Sequence, residues 1–70
     1  MDKVNIQIFL DEQMFYYIGC DEKGTVYFSK NRKEAMTLDS IDCFDEYEKI
    51  RAYFRTLNPP KEVDLKKKKV

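Results

Sequence analysis

The sequence has no histidine and no tryptophan, and only two glycines, two prolines and two cysteines. Without histidine there is no imidazole zinc ligand, no Ser-His or Cys-His nucleophile pair and no side chain tuned to switch near neutral pH. Cys20 and Cys43 form no CxxC pair, and a secreted disulfide scaffold of this size carries more than two cysteines. They are expected to be reduced thiols that pack as small hydrophobes. The longest apolar run, Met14 to Ile18, is far too short to cross a membrane. No charged-then-apolar leader follows Met1, so a cytoplasmic gene product without a membrane partner is expected. No glycine-rich phosphate loop is present, and the acidic residues lack the Asp-x-Asp-x-Asp-Gly spacing of a calcium loop. The expectation is therefore no metal, no cofactor, no small-molecule substrate, no catalytic residue and no enzyme.

What remains is 70 residues, enough for one small domain with a thin core. Thirteen basic side chains balance thirteen acidic ones. The balance conceals a division along the chain. Residues 1–60 hold eight basic and eleven acidic side chains, whereas residues 61–70 hold five and two. An acidic body thus carries a basic tail, and the two are judged separately. Phe, Tyr, Met, Ile, Asn and Lys together number 31, against nine for Gly, Ala, Arg and Pro. That skew points to a low-GC genome, such as a bacterium or one of its phages.

Val4, Ile6, Ile8 and Leu10 alternate with Asn5, Gln7 and Phe9, the period of a strand with one buried face. Met14–Cys20 and Thr25–Ser29 are two further β-prone runs. Asp21-Glu22-Lys23-Gly24 between them suits a three-residue hairpin loop, with Asp opening the turn and Gly at its left-handed position. A three-residue loop at Asp11-Glu12-Gln13 sets Leu10 opposite Met14, Ile8 opposite Tyr16 and Ile6 opposite Ile18. One face then collects Val4, Ile6, Ile8, Leu10, Met14, Tyr16, Ile18, Cys20, Val26 and Phe28. The other collects Asn5, Gln7, Phe9, Phe15, Tyr17, Gly19, Thr25 and Tyr27.

Ala35–Leu38 reads equally as a helical turn or a short strand. Asp39 or Ser40 is a suitable N-cap for a long helix. Cys43, Tyr47, Ile50, Phe54 and Leu57 form its apolar stripe, widened by Ile41, Phe44 and Tyr53. Acids crowd its start and bases its end, which suits the helix dipole, and Asp45–Lys49 is a well-oriented pair. Asn58-Pro59-Pro60 stops it. The expected fold is α+β: a three-stranded antiparallel meander on one amphipathic helix of about eighteen residues. Residues 1–58 form the domain and 59–70 a mobile, lysine-rich tail, within which Val63 and Leu65 alternate as an edge strand would.

The sheet's second face carries the functional expectation. Phe9, Phe15, Tyr17 and Tyr27 would stand there together and uncovered, and such a patch marks an interface. With the acids Asp42, Asp45 and Glu46 they make a protein-binding surface, for a partner or for a second copy in a homodimer. A phage- or mobile-element-encoded inhibitor of a host protein is the concrete form. The alternative is nucleic-acid binding, with bases stacked on the sheet rings and phosphates held by Lys30, Arg32, Lys33, Lys66, Lys67, Lys68 and Lys69.

Overall fold

A computed structural model describes residues 2–70. Among the described residues the fold is α+β with an antiparallel sheet, and the sheet holds five strands rather than three. Strand β1 spans Lys3–Leu10, β2 Gln13–Cys20 and β3 Val26–Ser29. A 3-10 turn at Arg32–Glu34 leads to the short β4, Leu38–Asp39. A second 3-10 turn, Ser40–Asp42, runs directly into α1, Cys43–Arg55. Strand β5, Asp64–Lys69, closes the chain.

The expected meander is present, with β3, β2 and β1 side by side. The expected tail is not a tail: all six residues of β5 pair antiparallel with β1, from Phe9 opposite Asp64 to Val4 opposite Lys69. Gln7 lies opposite both Tyr16 and Lys66, so β2 and β5 flank β1 on opposite edges. Val4 lies opposite both Leu38 and Lys69, so β4 joins β1 on the β2 side. The helix is 13 residues long, shorter than expected, and it is not the last element.

The first hairpin departs from its expected register by one residue. Leu10 pairs with Gln13, Phe9 with Met14 and Ile8 with Phe15. The loop is therefore Asp11-Glu12 alone, and both residues take positive φ, 50° and 66°. This is the primed two-residue geometry that matches strand twist, built here without glycine or asparagine. Because side chains alternate along a strand, the slip turns β2 over. Phe15 and Tyr17 point to the helix, while Met14 and Tyr16 move to the outer face. A bulge at Ile18 then restores the second hairpin, where Tyr17 faces Phe28 and Cys20 faces Val26. Ile18, expected opposite Ile6, is instead the bulged residue. The loop at Asp21–Thr25 is as anticipated: Gly24 has φ +88°, and Asp21 Oδ1 accepts the amides of Lys23 and Thr25, both at 2.9 Å.

Core packing follows from this register. Val4, Ile6, Ile8, Tyr17 and Val26 are buried against Cys43, Ile50 and Phe54 of α1. Phe15 meets Phe28 edge-on at 5.1 Å, and Phe28 meets Phe54 at 5.7 Å, so three elements share one aromatic seam. Leu65 and Val63 pack on the same core from β5 and the segment before it. Helix α1 ends at Arg55, ahead of the two prolines, and the Thr56 amide closes the last turn onto the Ala52 and Tyr53 carbonyls. Asp39 stands at the cap of the 3-10 turn and Asp42 at that of α1, neither with a side-chain capping bond. Lys49 pairs with Glu46 at 3.1 Å rather than with Asp45. Among the described residues no helix is long and apolar enough to cross a membrane.

Candidate functional site

The four rings expected on one open face do not share it. Tyr17 is fully buried on the helix side, and its hydroxyl donates to Glu46 Oε1 at 2.8 Å. Burial, then that bond to a carboxylate, push its ionisation well above the ordinary tyrosine range. Phe15 belongs to the aromatic seam, with Lys30 Nζ 5.5 Å from its centroid. Only Phe9 and Tyr27 remain on the outer face, on β1 and β3, with β2 between them. Phe9 is half-buried with Lys66 Nζ 5.3 Å above its ring, and Tyr27 bonds to Asp21 at 3.1 Å. The continuous aromatic docking face is therefore corrected: the one-residue turn difference divides its members between core and surface.

The acidic members fare differently. Glu46 is engaged inward by Tyr17 and Lys49, which makes it a structural carboxylate. Asp42 and Asp45 are exposed at the start of α1, with Glu48 one turn on. Between these acids stand two apolar side chains that the helical stripe had assigned to the core. Ile41 is 75% exposed and Phe44 67%. The reason is angular. Cys43, Ile50 and Phe54 are the buried positions of α1, and Ile41, Phe44, Asp45 and Glu48 recur at i, i+3, i+4 and i+7 on another side of the helix. The signal was legible as a stripe too wide for a helix packed on one side only. Phe44 is braced by Tyr47 edge-on at 6.5 Å and by Lys67, whose Nζ lies 5.1 Å from the ring and 3.1 Å from Ser40 Oγ.

The basic residues are partly gathered. Strand β5 sends Lys66 and Lys68 to the outer face, opposite Gln7 and Asn5. Arg32 reaches the same end, its Nη2 donating to the Lys69 carbonyl at 2.8 Å and its Nε to Asn5 Oδ1 at 3.5 Å. Asn5 is itself buried and fixed by its Nδ2 donating to the Met36 carbonyl at 3.0 Å. Lys30 and Lys67 lie instead over Phe15 and Phe44 on the helix side. Lys33, exposed in the 3-10 turn, gives its amide to Asn31.

The described residues also line clefts. One of about 650 Å³ lies between α1 and the first hairpin, lined by Phe9, Arg51, Arg55 and Asp64, and Lys61 Nζ meets Asp11 Oδ2 beside it at 2.8 Å. A second of about 370 Å³ lies by Cys20, Lys49 and Tyr53. Both cysteines are free thiols; burial raises the pKa of Cys43 above its ordinary value. Among the described residues no group of Cys, Asp and Glu is arranged to hold a metal. No protein-family model, no curated protein and no solved structure matches the chain.

Proposed function

We propose that this chain is a small non-enzymatic binding module that docks onto another protein through the start of α1. The observation that carries this reading is the exposure of Ile41 and Phe44 within a rim of Asp42, Asp45 and Glu48. Two large apolar side chains held out to water on so small a body form an anchor, and an interface uses such anchors inside a polar rim. The acidic rim selects the partner: an apolar pocket bordered by lysine or arginine. It also disfavours a homodimer through this patch, because a two-fold interface would set the acids of one copy against those of the other. The low-GC composition suits a bacterial or phage setting, in which such a module acts in the cytoplasm as an inhibitor or modulator of a basic host protein. The unpaired thiols fit that compartment.

The test is the double substitution Ile41→Ser with Phe44→Ser. Both positions are exposed, so circular dichroism should stay that of the parent, with at most about 1 kcal/mol lost from the Lys67 contact on the Phe44 ring. Affinity capture from a low-GC bacterial lysate should retain a protein on the parent chain and lose it on the double variant. Identical capture by both chains refutes the patch. Light scattering on the free chain should give a monomer, and a dimer abolished by the same substitutions would replace the foreign partner with a second copy.

A further inference from the structure

The outer face of the sheet lies on the opposite side from the acidic helix, and it has a chemistry of its own. We propose that Lys66, Lys68 and Arg32, with the Phe9 ring, form a binding site for the phosphate backbone of a single-stranded nucleic acid.

The site exists only because β5 is a strand. Residues two apart share a face, so Lys66 and Lys68 project together, about 6.8 Å apart along the strand. Arg32 extends the row at its Lys69 end, held by a main-chain carbonyl and by the buried Asn5. A guanidinium fixed in this way keeps its remaining donors for an oxyanion. None of the three cations takes part in an ion pair among the described residues, whereas Lys3, Lys49 and Lys61 do. Asp64 stands at the far end of the row, beside Phe9, and marks its limit.

The zero net charge of the molecule does not oppose this assignment. Asp42, Asp45, Glu46 and Glu48 belong to the α1 side, so the sheet itself separates the acids from the row. It is the local field that a ligand meets. A line of cations along one strand suits a linear polyanion better than a planar headgroup surface. The Phe9 ring beneath Lys66 favours a single strand, because only an unstacked base can lie on a ring at a sheet face. Gln7, half-buried between Phe9 and Asn5, supplies an amide for a base edge.

The experiment follows the fluorescence anisotropy of a labelled oligothymidylate of about twelve nucleotides through a salt series. Saturable binding is expected at about 50 mM salt, with log K falling against log salt at a slope of about −2, the value for three phosphates on a single strand. Lys66→Gln with Lys68→Gln should weaken binding about tenfold or more at the lowest salt and reduce the slope to about −0.7. Lys66→Glu with Lys68→Glu should abolish it. The Ile41→Ser and Phe44→Ser variant should bind as the parent does, which separates this site from the docking patch. The proposal is overturned by an absence of saturable binding at low salt, or by lysine variants with the parental affinity and slope. A duplex of equal length that binds more tightly, or phosphatidylserine vesicles bound in place of the oligonucleotide, also overturns it.

Discussion

Tyr17 joins the sheet to the helix by two different means. Its ring fills the core and its hydroxyl reaches Glu46 at 2.8 Å, so one side chain supplies both apolar burial and a charge-assisted bond. The raised ionisation of that hydroxyl has a defined consequence for stability. A folded-state pKa above the unfolded value near 10 means that the stabilisation is complete below about pH 10 and is lost as pH rises beyond it. Tyr17→Phe should cost about 1 kcal/mol at neutral pH, since Glu46 keeps Lys49, and should make the alkaline loss of stability shallower than in the parent. Urea midpoints measured at neutral pH and again above pH 10 check both parts; equal slopes in the two chains contradict the assignment. Tyr47, also raised by burial, leaves a residual slope in the variant.

At the scale of elements, the turn Asp11-Glu12 decides which side chains become core. Two non-glycine residues at positive φ are costly, at about 1 kcal/mol or more each, and the hairpin accepts this because the alternative register would turn Phe15 and Tyr17 away from the helix and break their contacts with Phe28 and Glu46. Glu12→Gly should stabilise the protein by about 0.5–1 kcal/mol, the relief of strain being partly offset by the greater entropy of the unfolded chain. Denaturant melts at fixed pH measure this, and a loss of stability contradicts the turn. The one-residue difference was hard to read from sequence for a physical reason. Met14-Phe15-Tyr16-Tyr17-Ile18 is apolar at every position, so β2 has no alternation of its own with which to fix its faces. The Ile18 bulge then keeps Cys20 and Val26 on one face, where the sequence places them, so the loop end of the second hairpin reads the same in either register. β1 and the Asp21–Gly24 loop were legible, the former from strict alternation and the latter from an Asp and a Gly at fixed offsets.

For the whole molecule, the governing contact is β5 on β1. It turns β1 into an interior strand, brings Leu65 opposite Ile8 and Val63 onto the core, and lays the lysines in a row. The lysines also discourage another chain from pairing at the outer edge of β5, as charged edge strands do. Removing residues 62–70 should therefore cost about 3 kcal/mol or more, the worth of two partly buried apolar side chains and a ladder of main-chain bonds. That is a large share of the stability of so small a domain, so thermal unfolding followed by circular dichroism should lose its cooperativity or shift far down. A truncated chain that melts as the full chain does contradicts the role given to β5. The two candidate surfaces are another property of this scale. The acid-rimmed patch and the basic row lie on opposite sides of one sheet, which lets a neutral molecule present two oppositely charged surfaces.

The amino-acid sequence by itself determined the class of fold, the three strands of the meander, the second hairpin loop, and a helix whose wider apolar stripe includes the buried Cys43, Ile50 and Phe54, though not the length of that helix or the strand that follows it. Each of these rests on local periodicity or local turn chemistry, which neighbouring residues encode directly. Only the tertiary structure decided which face of β2 packs against the helix, that Ile41 and Phe44 stay in water, and that the lysine run is a strand beside Arg32. Each of these depends on a partner distant in the chain: the β1 edge that β5 completes, the side of the helix that the sheet leaves bare, and the net parity of a turn and a bulge acting together. Periodicity sorts side chains within an element, but burial against another element chooses among the faces that periodicity leaves equivalent.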